Sequence, residues 1–107
     1  YVLTRDDQVA LVRRPPKGLL GGMLALPTSD WRADRWSEAE ARAAAPADAA
    51  WLGVGEVEHG FTHFTLTLQL LRAEGDAAGV IWSPRRDLDA LPSVFLKAAR
   101  AGLSRLF

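Results

Sequence analysis

The two histidines of the chain, His59 and His63, lie four residues apart beside a hydroxyl group and two aromatic rings. Apolar and polar residues alternate directly after them, over residues 65–70, and this pattern predicts a strand. Imidazole, hydroxyl and flat rings form hydrogen bonds and stack, and proteins use these groups to recognise nucleic-acid bases. We therefore interpret residues 59–64 as a recognition loop that a sheet holds rigidly.

Metal binding and nucleophilic catalysis fit the same residues less well. Histidines four apart on a helix can share a metal ion, but Gly60 and the threonines that follow favour an extended chain, and no third ligand lies nearby. No serine has the Gly-x-Ser-x-Gly context of a nucleophile elbow. The chain has no cysteine, which excludes disulfides and thiolate sites and fits a reducing compartment. We expect no catalytic or metal-binding residue in this segment.

Hydrolysis of a nucleoside diphosphate with Mg²⁺ requires several carboxylates that converge from one helix and its preceding loop. Counted from Gly22, only Glu40 meets the pattern G-x5-E-x7-R-E-x2-E-E-x-G. Glu38 and Glu40 are two residues apart and point to different sides of a helix. Ser37 and Glu40 instead fit a capping box, so we predict no hydrolase activity from this pattern. A hydrolase that uses other carboxylates stays an alternative, with Glu56, Glu58 and Glu74 as candidates.

Length and composition predict one globular domain. The 107 residues suffice for one core but not for two ordinary domains, and 49% are hydrophobic and 24% charged. No apolar run approaches the roughly 20 residues of a membrane-spanning helix. Thirteen basic and thirteen acidic residues balance, so any contact with nucleic acid must come from a local patch. A first residue that is Tyr1 rather than Met suggests a piece of a longer protein.

The order of elements predicts a mixed α/β (α+β) fold. Strands are expected at residues 1–5 and 8–14 around a turn at Asp6, near 23–26, at 50–57, at 62–71 and, as a short buried strand, at 80–82. Ser37 is expected to begin a helix that Pro46 stops, and Ser93 to cap a second helix. By spacing, the apolar face of the second helix holds Phe95, Ala99, Leu103 and Leu106.

Basic residues form two groups, Arg13, Arg14 and Lys17 in the first and Arg85 and Arg86 in the second. Each group either contacts phosphate, which positions a duplex without reading its sequence, or forms a solvated edge that discourages strand pairing. The sequence leaves both interpretations open. Three tryptophans either cover the core or form a protein-interaction surface: Trp31, Trp36 and Trp51.

Three motifs occur in an order that resembles one family. They are RRPPKGLLGGMLALP at residues 13–27, HGFTHFTL at residues 59–66, and ALPS at residues 90–93. Over nearly the whole chain they resemble the C-terminal, Nudix-like (MutT-like) domain of MutY-type A/G-specific adenine DNA glycosylases. Leu24 and Ala25 depart from this family, in which Trp and Glu are common, so any role of that glutamate is missing.

The resemblance implies a non-catalytic recognition domain of base excision repair, with a mixed β-sheet between helices as an α/β/α sandwich. In this family a separate N-terminal domain with a 4Fe-4S cluster removes adenine, while the Nudix-like domain inspects the opposite 8-oxoguanine. No cofactor is therefore expected in this segment. The implied partners are double-stranded DNA with 8-oxoguanine opposite adenine and the protein's own catalytic domain. We expect a monomer without membrane contact, in the bacterial cytoplasm and associated with DNA.

The family's Phe-Ser-His lesion-sensing loop falls on Phe61, Thr62 and His63. Oxidation turns guanine N7 from an acceptor into an N–H donor, so a fixed acceptor beside N7 distinguishes the lesion from guanine. Thr62 keeps the hydroxyl of serine and can accept this hydrogen bond, and His63 can contact another base edge or a phosphate. Phe61 and Phe64 are expected to brace the loop. Further candidate DNA contacts are His59, Arg13, Arg14 and Lys17.

Overall fold

A computed structural model of the chain describes residues 1–104. Its elements are β1 (Val2–Arg5), β2 (Gln8–Arg13), β3 (Leu24–Ala25), α1 (Glu38–Ala43), β4 (Leu52–Gly60), β5 (Thr65–Glu74), β6 (Ile81–Pro84) and α2 (Ser93–Leu103). The predicted class, a mixed sheet with two helices, is confirmed. Neither helix of this range is long and apolar enough to cross a membrane.

The strands form a mixed sheet in the order β3-β2-β1-β5-β4, and β6 pairs with β2. The predicted hairpin of β1 and β2 is confirmed, and Asp6 in its turn has a φ of 54°. β1 runs parallel to β5, with Val2 opposite Arg72. β4 and β5 form a long antiparallel hairpin that reaches past β1 to the pair Gly60 and Thr65. The tip of this hairpin thus projects beyond the centre of the sheet.

Helix α2 covers one face of the sheet. Phe95 and Ala99 are buried against Leu68 and Leu70 of β5 and against β4, which confirms most of the predicted apolar face. Leu103 is also buried. The fourth residue predicted for this face, Leu106, lies outside the described residues.

The opposite face is covered by α1 and the loop of residues 28–36. A second, smaller core forms there around Trp51 and Leu71. The Ser37 hydroxyl accepts a hydrogen bond from the Glu40 amide, and the Glu40 carboxylate accepts one from the Ser37 amide. The predicted capping box is therefore confirmed, and the helix it starts ends at Ala43, before Pro46.

Two predictions at the end of the chain are wrong. Ser93 is the first residue of α2 rather than its cap, since the N-cap is Pro92 and no side chain caps this helix end. The strand predicted at residues 80–82 as buried begins at Ile81, whose surface is 45% exposed. It pairs with β2 at the sheet edge, where one side of the strand faces solvent.

The boundaries of the histidine segment also differ from the prediction. His59 belongs to β4, where it pairs with Leu66, because the backbone pairing of the hairpin continues to Gly60. The residues between Gly60 and Thr65 form the turn, although the sequence pattern predicts three of them as part of the following strand. The predicted loop is thus a short hairpin tip of residues 61–64.

Candidate nucleic-acid interface

The candidate site is the tip of the β4–β5 hairpin. The Phe61 amide donates to the Phe64 carbonyl at 2.7 Å and closes the tip. No tip residue has a positive φ, so the β-branched Thr62 fits without strain. Thr62 and His63 are both exposed at the turn. A hydroxyl and an imidazole are therefore accessible to a ligand.

Three rings lie next to these two side chains. The ring of Phe61 stacks on that of Phe64, with centroids 4.9 Å apart and planes at 19°. The His59 imidazole meets the Phe61 ring edge-on at 4.8 Å. Pairs of this kind contribute about 0.5–1.5 kcal/mol beyond burial. His59 and Phe61 are half-buried, so they support the tip from within the hairpin, whereas Phe64 is 48% exposed.

The first basic group lies at the same end of the sheet as the tip. β2 is antiparallel to β1, and β1 is parallel to β5. The last residue of β2, Arg13, therefore lies toward the end of the sheet at which β4 turns into β5. The loop that follows Arg13 lies toward the same end. Arg13 is exposed and donates to the Gly22 carbonyl at 2.9 Å. Lys17 is exposed and makes no hydrogen bond or ion pair with residues 1–104. Both cations can reach a phosphate, with Lys17 the freer of the two.

Arg14 is held more firmly than a surface phosphate contact requires. It is half-buried, and its Nε donates to the Leu19 carbonyl at 2.9 Å. Its guanidinium lies 4.8 Å from the ring centre of Trp31. These contacts fix the turn-rich loop after β2, which is a structural role that the sequence pattern does not indicate.

The second basic group lies at the other end of the sheet. Arg85 and Arg72 donate to the Leu103 carbonyl at 3.4 and 3.1 Å, and Arg72 also donates to Gly102 at 3.3 Å. Cations at this position satisfy the last carbonyls of a helix. Partial burial and the nearby Arg85 lower the pKa of Arg72. Arg85 and Arg72 therefore stabilise the end of α2, far from the hairpin tip, whereas Arg86 lies 3.8 Å from Asp7 and, within residues 1–104, forms no hydrogen bond with this helix end.

The carboxylates do not converge. Glu40 accepts from both terminal nitrogens of Arg32, at 3.1 and 2.9 Å, and this pair together with the Ser37 hydrogen bonds lowers the pKa of Glu40 to about 2. Glu56 and Glu58 project from β4, while Glu74 ends β5 opposite Thr4, away from them. Within residues 1–104 no group of three or more His, Asp or Glu side chains could hold a metal ion. The arrangement gives no support to a metal-dependent hydrolase.

The tryptophans have different environments. Trp51 is buried and donates from its indole to the Ala47 carbonyl at 3.0 Å, which places it in the core. The backbone of Trp36 exchanges two hydrogen bonds with the Gln69 amide, at 3.1 and 2.9 Å. Trp31 is 36% exposed. Trp31 and Trp36 line a cleft of about 300 Å³ between the loop of residues 28–36 and β5.

One cation near the hairpin is missed by the sequence interpretation. The Lys97 ammonium donates to the Glu58 carbonyl at 2.7 Å, across 39 positions of sequence. The helical periodicity of α2 predicts only that Lys97 faces away from the core. No local pattern could place it beside β4.

Comparisons with known proteins agree with this architecture. A similar fold occurs in the crystal structure of the complex between the C-terminal domain of mouse MUTYH and human PCNA, with a TM-score of 0.72 and 21% sequence identity. The match covers 96% of this chain and 83% of that chain. No curated protein sequence matches the chain. A family model described as NUDIX domain matches residues 1–100. The chain therefore belongs to the NUDIX domain family.

Proposed function

We propose that this domain recognises 8-oxoguanine opposite adenine in duplex DNA, as the non-catalytic C-terminal part of an A/G-specific adenine glycosylase in base excision repair. The observation that carries the proposal is the joint exposure of Thr62 and His63 on a tip supported by the Phe61 ring. The order of the three sequence motifs supports it. The fold shared with the C-terminal domain of mouse MUTYH supports an accessory domain of a DNA glycosylase.

In the proposed mechanism the Thr62 hydroxyl oxygen accepts a hydrogen bond from N7–H of the oxidised base. Guanine has no proton on N7 and presents a second acceptor there, so the same geometry disfavours the undamaged base. His63 contacts a neighbouring base edge or phosphate. The hairpin fixes both groups before binding, which limits the entropy lost when the duplex arrives.

The net charge of the domain limits its own affinity for DNA. A formal net charge of zero provides little of the phosphate attraction on which DNA affinity depends. We therefore assign most of the affinity to the catalytic domain, which also holds the 4Fe-4S cluster of the family, and the base discrimination to this domain. Arg13 and Lys17 supply local phosphate contacts. The proposed setting is the bacterial cytoplasm, where the protein acts on DNA as a monomer.

Substitutions of Thr62 in the complete glycosylase test the proposal. A neutral hydrogen bond contributes about 0.5–1.5 kcal/mol, so Thr62→Ala should reduce the preference for 8-oxoguanine:adenine over guanine:adenine duplex about two- to tenfold. Thr62→Ser keeps the hydroxyl and is the matched control that should retain the preference. Equal preference in Thr62→Ala and the parent, measured by equilibrium binding to both duplexes, would remove the tip from the mechanism.

A protein-interaction domain is the second candidate function. Its supporting observation is that the similar mouse MUTYH domain is in complex with human PCNA. The exposed part of Trp31 is the aromatic surface that such a partner would cover. Calorimetric titration of the chain with PCNA, with Trp31→Ala as the variant, tests this candidate. No heat of binding in the parent would dismiss PCNA as the partner of this surface.

A further inference from the structure

The two faces of the β4–β5 hairpin differ in chemistry. Val57 and Leu68 lie opposite each other and are buried under α2. Side chains alternate along a strand, so His59 is on the same face as Val57. The ring contacts of His59 with Phe61 and of Phe61 with Phe64 continue this face to the tip. The side of the hairpin that faces α2 is therefore apolar and aromatic.

The other side is polar and acidic. Glu56 lies opposite Gln69 and Glu58 opposite Thr67, and all four side chains are exposed. Arg35 neutralises Glu56 at 2.8 Å. Glu58 forms no ion pair with the described residues. A phosphate backbone that approached along this side would meet the Glu58 carboxylate at close range, which Coulomb repulsion disfavours.

The α2 side of the hairpin carries a cation, Lys97, close to the position along β4 at which the acidic side carries Glu58. Lys97 is exposed, and its ammonium uses one of its three donors on the Glu58 carbonyl. The next basic residue of α2, Arg100, lies 3.7 Å from Asp89 and is paired. Glu58 precedes Phe61 by three positions, so at about 3.3 Å per residue Lys97 lies roughly 10 Å from the tip.

Besides the cation Lys97, the α2 side of the hairpin carries an exposed aromatic residue, Phe64. This residue is 48% exposed and lies directly beside the exposed Thr62 and His63. Its ring is held in place by stacking on Phe61, so presenting its free surface costs little conformational entropy. Flat rings held in this way pack on sugars and bases whatever their sequence.

We propose that duplex DNA meets the hairpin from the α2 side, where the ring of Phe64 packs on a sugar or base next to the lesion and Lys97 contacts a backbone phosphate. This inference rests on the proposed function and adds two contact residues to it. Lys97 lies on the α2 side of the hairpin and the Glu58 carboxylate on the other side. This charge distribution favours a polyanion, duplex DNA, as the ligand and favours its approach from the α2 side.

Equilibrium binding of the complete protein to an 8-oxoguanine duplex, with an uncleavable adenosine analogue opposite the lesion, tests the proposal over a salt series. Lys97→Met should reduce the slope of log affinity against log salt by about 0.9, the value for one phosphate contact. Lys97→Arg should keep the slope of the parent. Phe64→Ala should lower the affinity about fivefold or more without changing the slope, because base stacking is not ionic.

Matched controls separate contact from folding. Ile81 is an exposed apolar residue on β6, and Ile81→Ala should bind as the parent does. Arg86 is an exposed cation at the far end of the sheet, and Arg86→Met should keep the salt slope of the parent. Phe64→Leu keeps an apolar side chain but loses the flat ring and its stack on Phe61, so it should stay folded with a slightly lower thermal midpoint and bind less tightly.

The outcomes distinguish this inference from the proposed function. Parent-like binding by Phe64→Leu and Phe64→Ala, or a parent-like salt slope in Lys97→Met, overturns the inference; the proposed function stands if Thr62→Ala still loses discrimination. Equal losses in Lys97→Arg and Lys97→Met would assign Lys97 to fixing β4 and overturn its phosphate contact. If Thr62→Ala also discriminates as the parent does, both proposals fail.

Discussion

The amide of Phe61 donates to the carbonyl of Phe64 at 2.7 Å while the two rings stack at 4.9 Å. Backbone and side chains of the same pair thus close the hairpin tip together. This pair fixes the positions of the two residues between them, Thr62 and His63. The geometry of the candidate site therefore depends on two aromatic residues that we do not assign to the lesion itself.

Replacing Phe61 by Leu should loosen the tip. The variant loses the stacked and the edge-on ring contacts, each of which contributes about 0.5–1.5 kcal/mol, so the free energy of unfolding should fall by about 1–3 kcal/mol. Lesion discrimination should fall with it. Urea denaturation gives the first quantity and duplex binding the second. Unchanged discrimination in a measurably less stable variant would show that the rings do not position Thr62.

Replacing Gly102 by Ala should destabilise the packing of α2. A Cβ atom there would lie 2.8 Å from Cγ2 of Val2, a fully buried side chain with little room to move. Overpacking of this kind costs about 1–3 kcal/mol. Gly60→Ala is the control, because a Cβ atom at Gly60 meets nothing within 4 Å. Thermal unfolding of both variants compares them, and equal midpoints would contradict the close approach of α2 to β1.

The ion pair of Glu40 should make the stability of α1 depend on pH. Hydrogen bonds from Arg32 and Ser37 lower the pKa of Glu40 from 4.5 to about 2. A lowered carboxyl pKa stabilises the fold above the ordinary pKa of the group, and this stabilisation is lost as the pH falls from 4.5 through 2. Glu40→Gln should therefore unfold at a lower temperature than the parent at pH 7, with the difference shrinking toward pH 2. A carbon-13 titration that gave an ordinary pKa for Glu40 would contradict the ion pair.

The chain should release no phosphate from oxidised dGTP in the presence of Mg²⁺. Glu40 is occupied by Arg32 and Glu56 by Arg35, and Glu74 lies five positions along β5 from Gln69, the partner of Glu56. Without converging carboxylates, residues 1–104 offer Mg²⁺ no site at which it could activate water. A hydrolase with a complete carboxylate motif serves as positive control. Turnover by the chain that disappears in Glu56→Gln would restore the hydrolase hypothesis.

Local patterns predict several parts of this fold correctly. The turn at Asp6 and the capping box of Ser37 and Glu40 involve residues at most three positions apart, so their geometry follows from neighbouring side chains. The alternation in β5 likewise predicts which of its residues face the core. Pairing beyond the turn is less local, so the sequence does not predict that β4 continues through His59 to Gly60.

The sequence by itself determined the class of fold, the order of its elements and the presence of a polar pair, Thr62 and His63, between two phenylalanines. Only the tertiary structure decided where the cations lie, because backbone carbonyls distant in sequence hold them in place. Arg72 binds the carbonyl of Leu103, and Lys97 that of Glu58, over 31 and 39 positions. Such contacts form because folding leaves the last carbonyls of a helix and an edge carbonyl of a strand without backbone partners, and cations that pack nearby satisfy them.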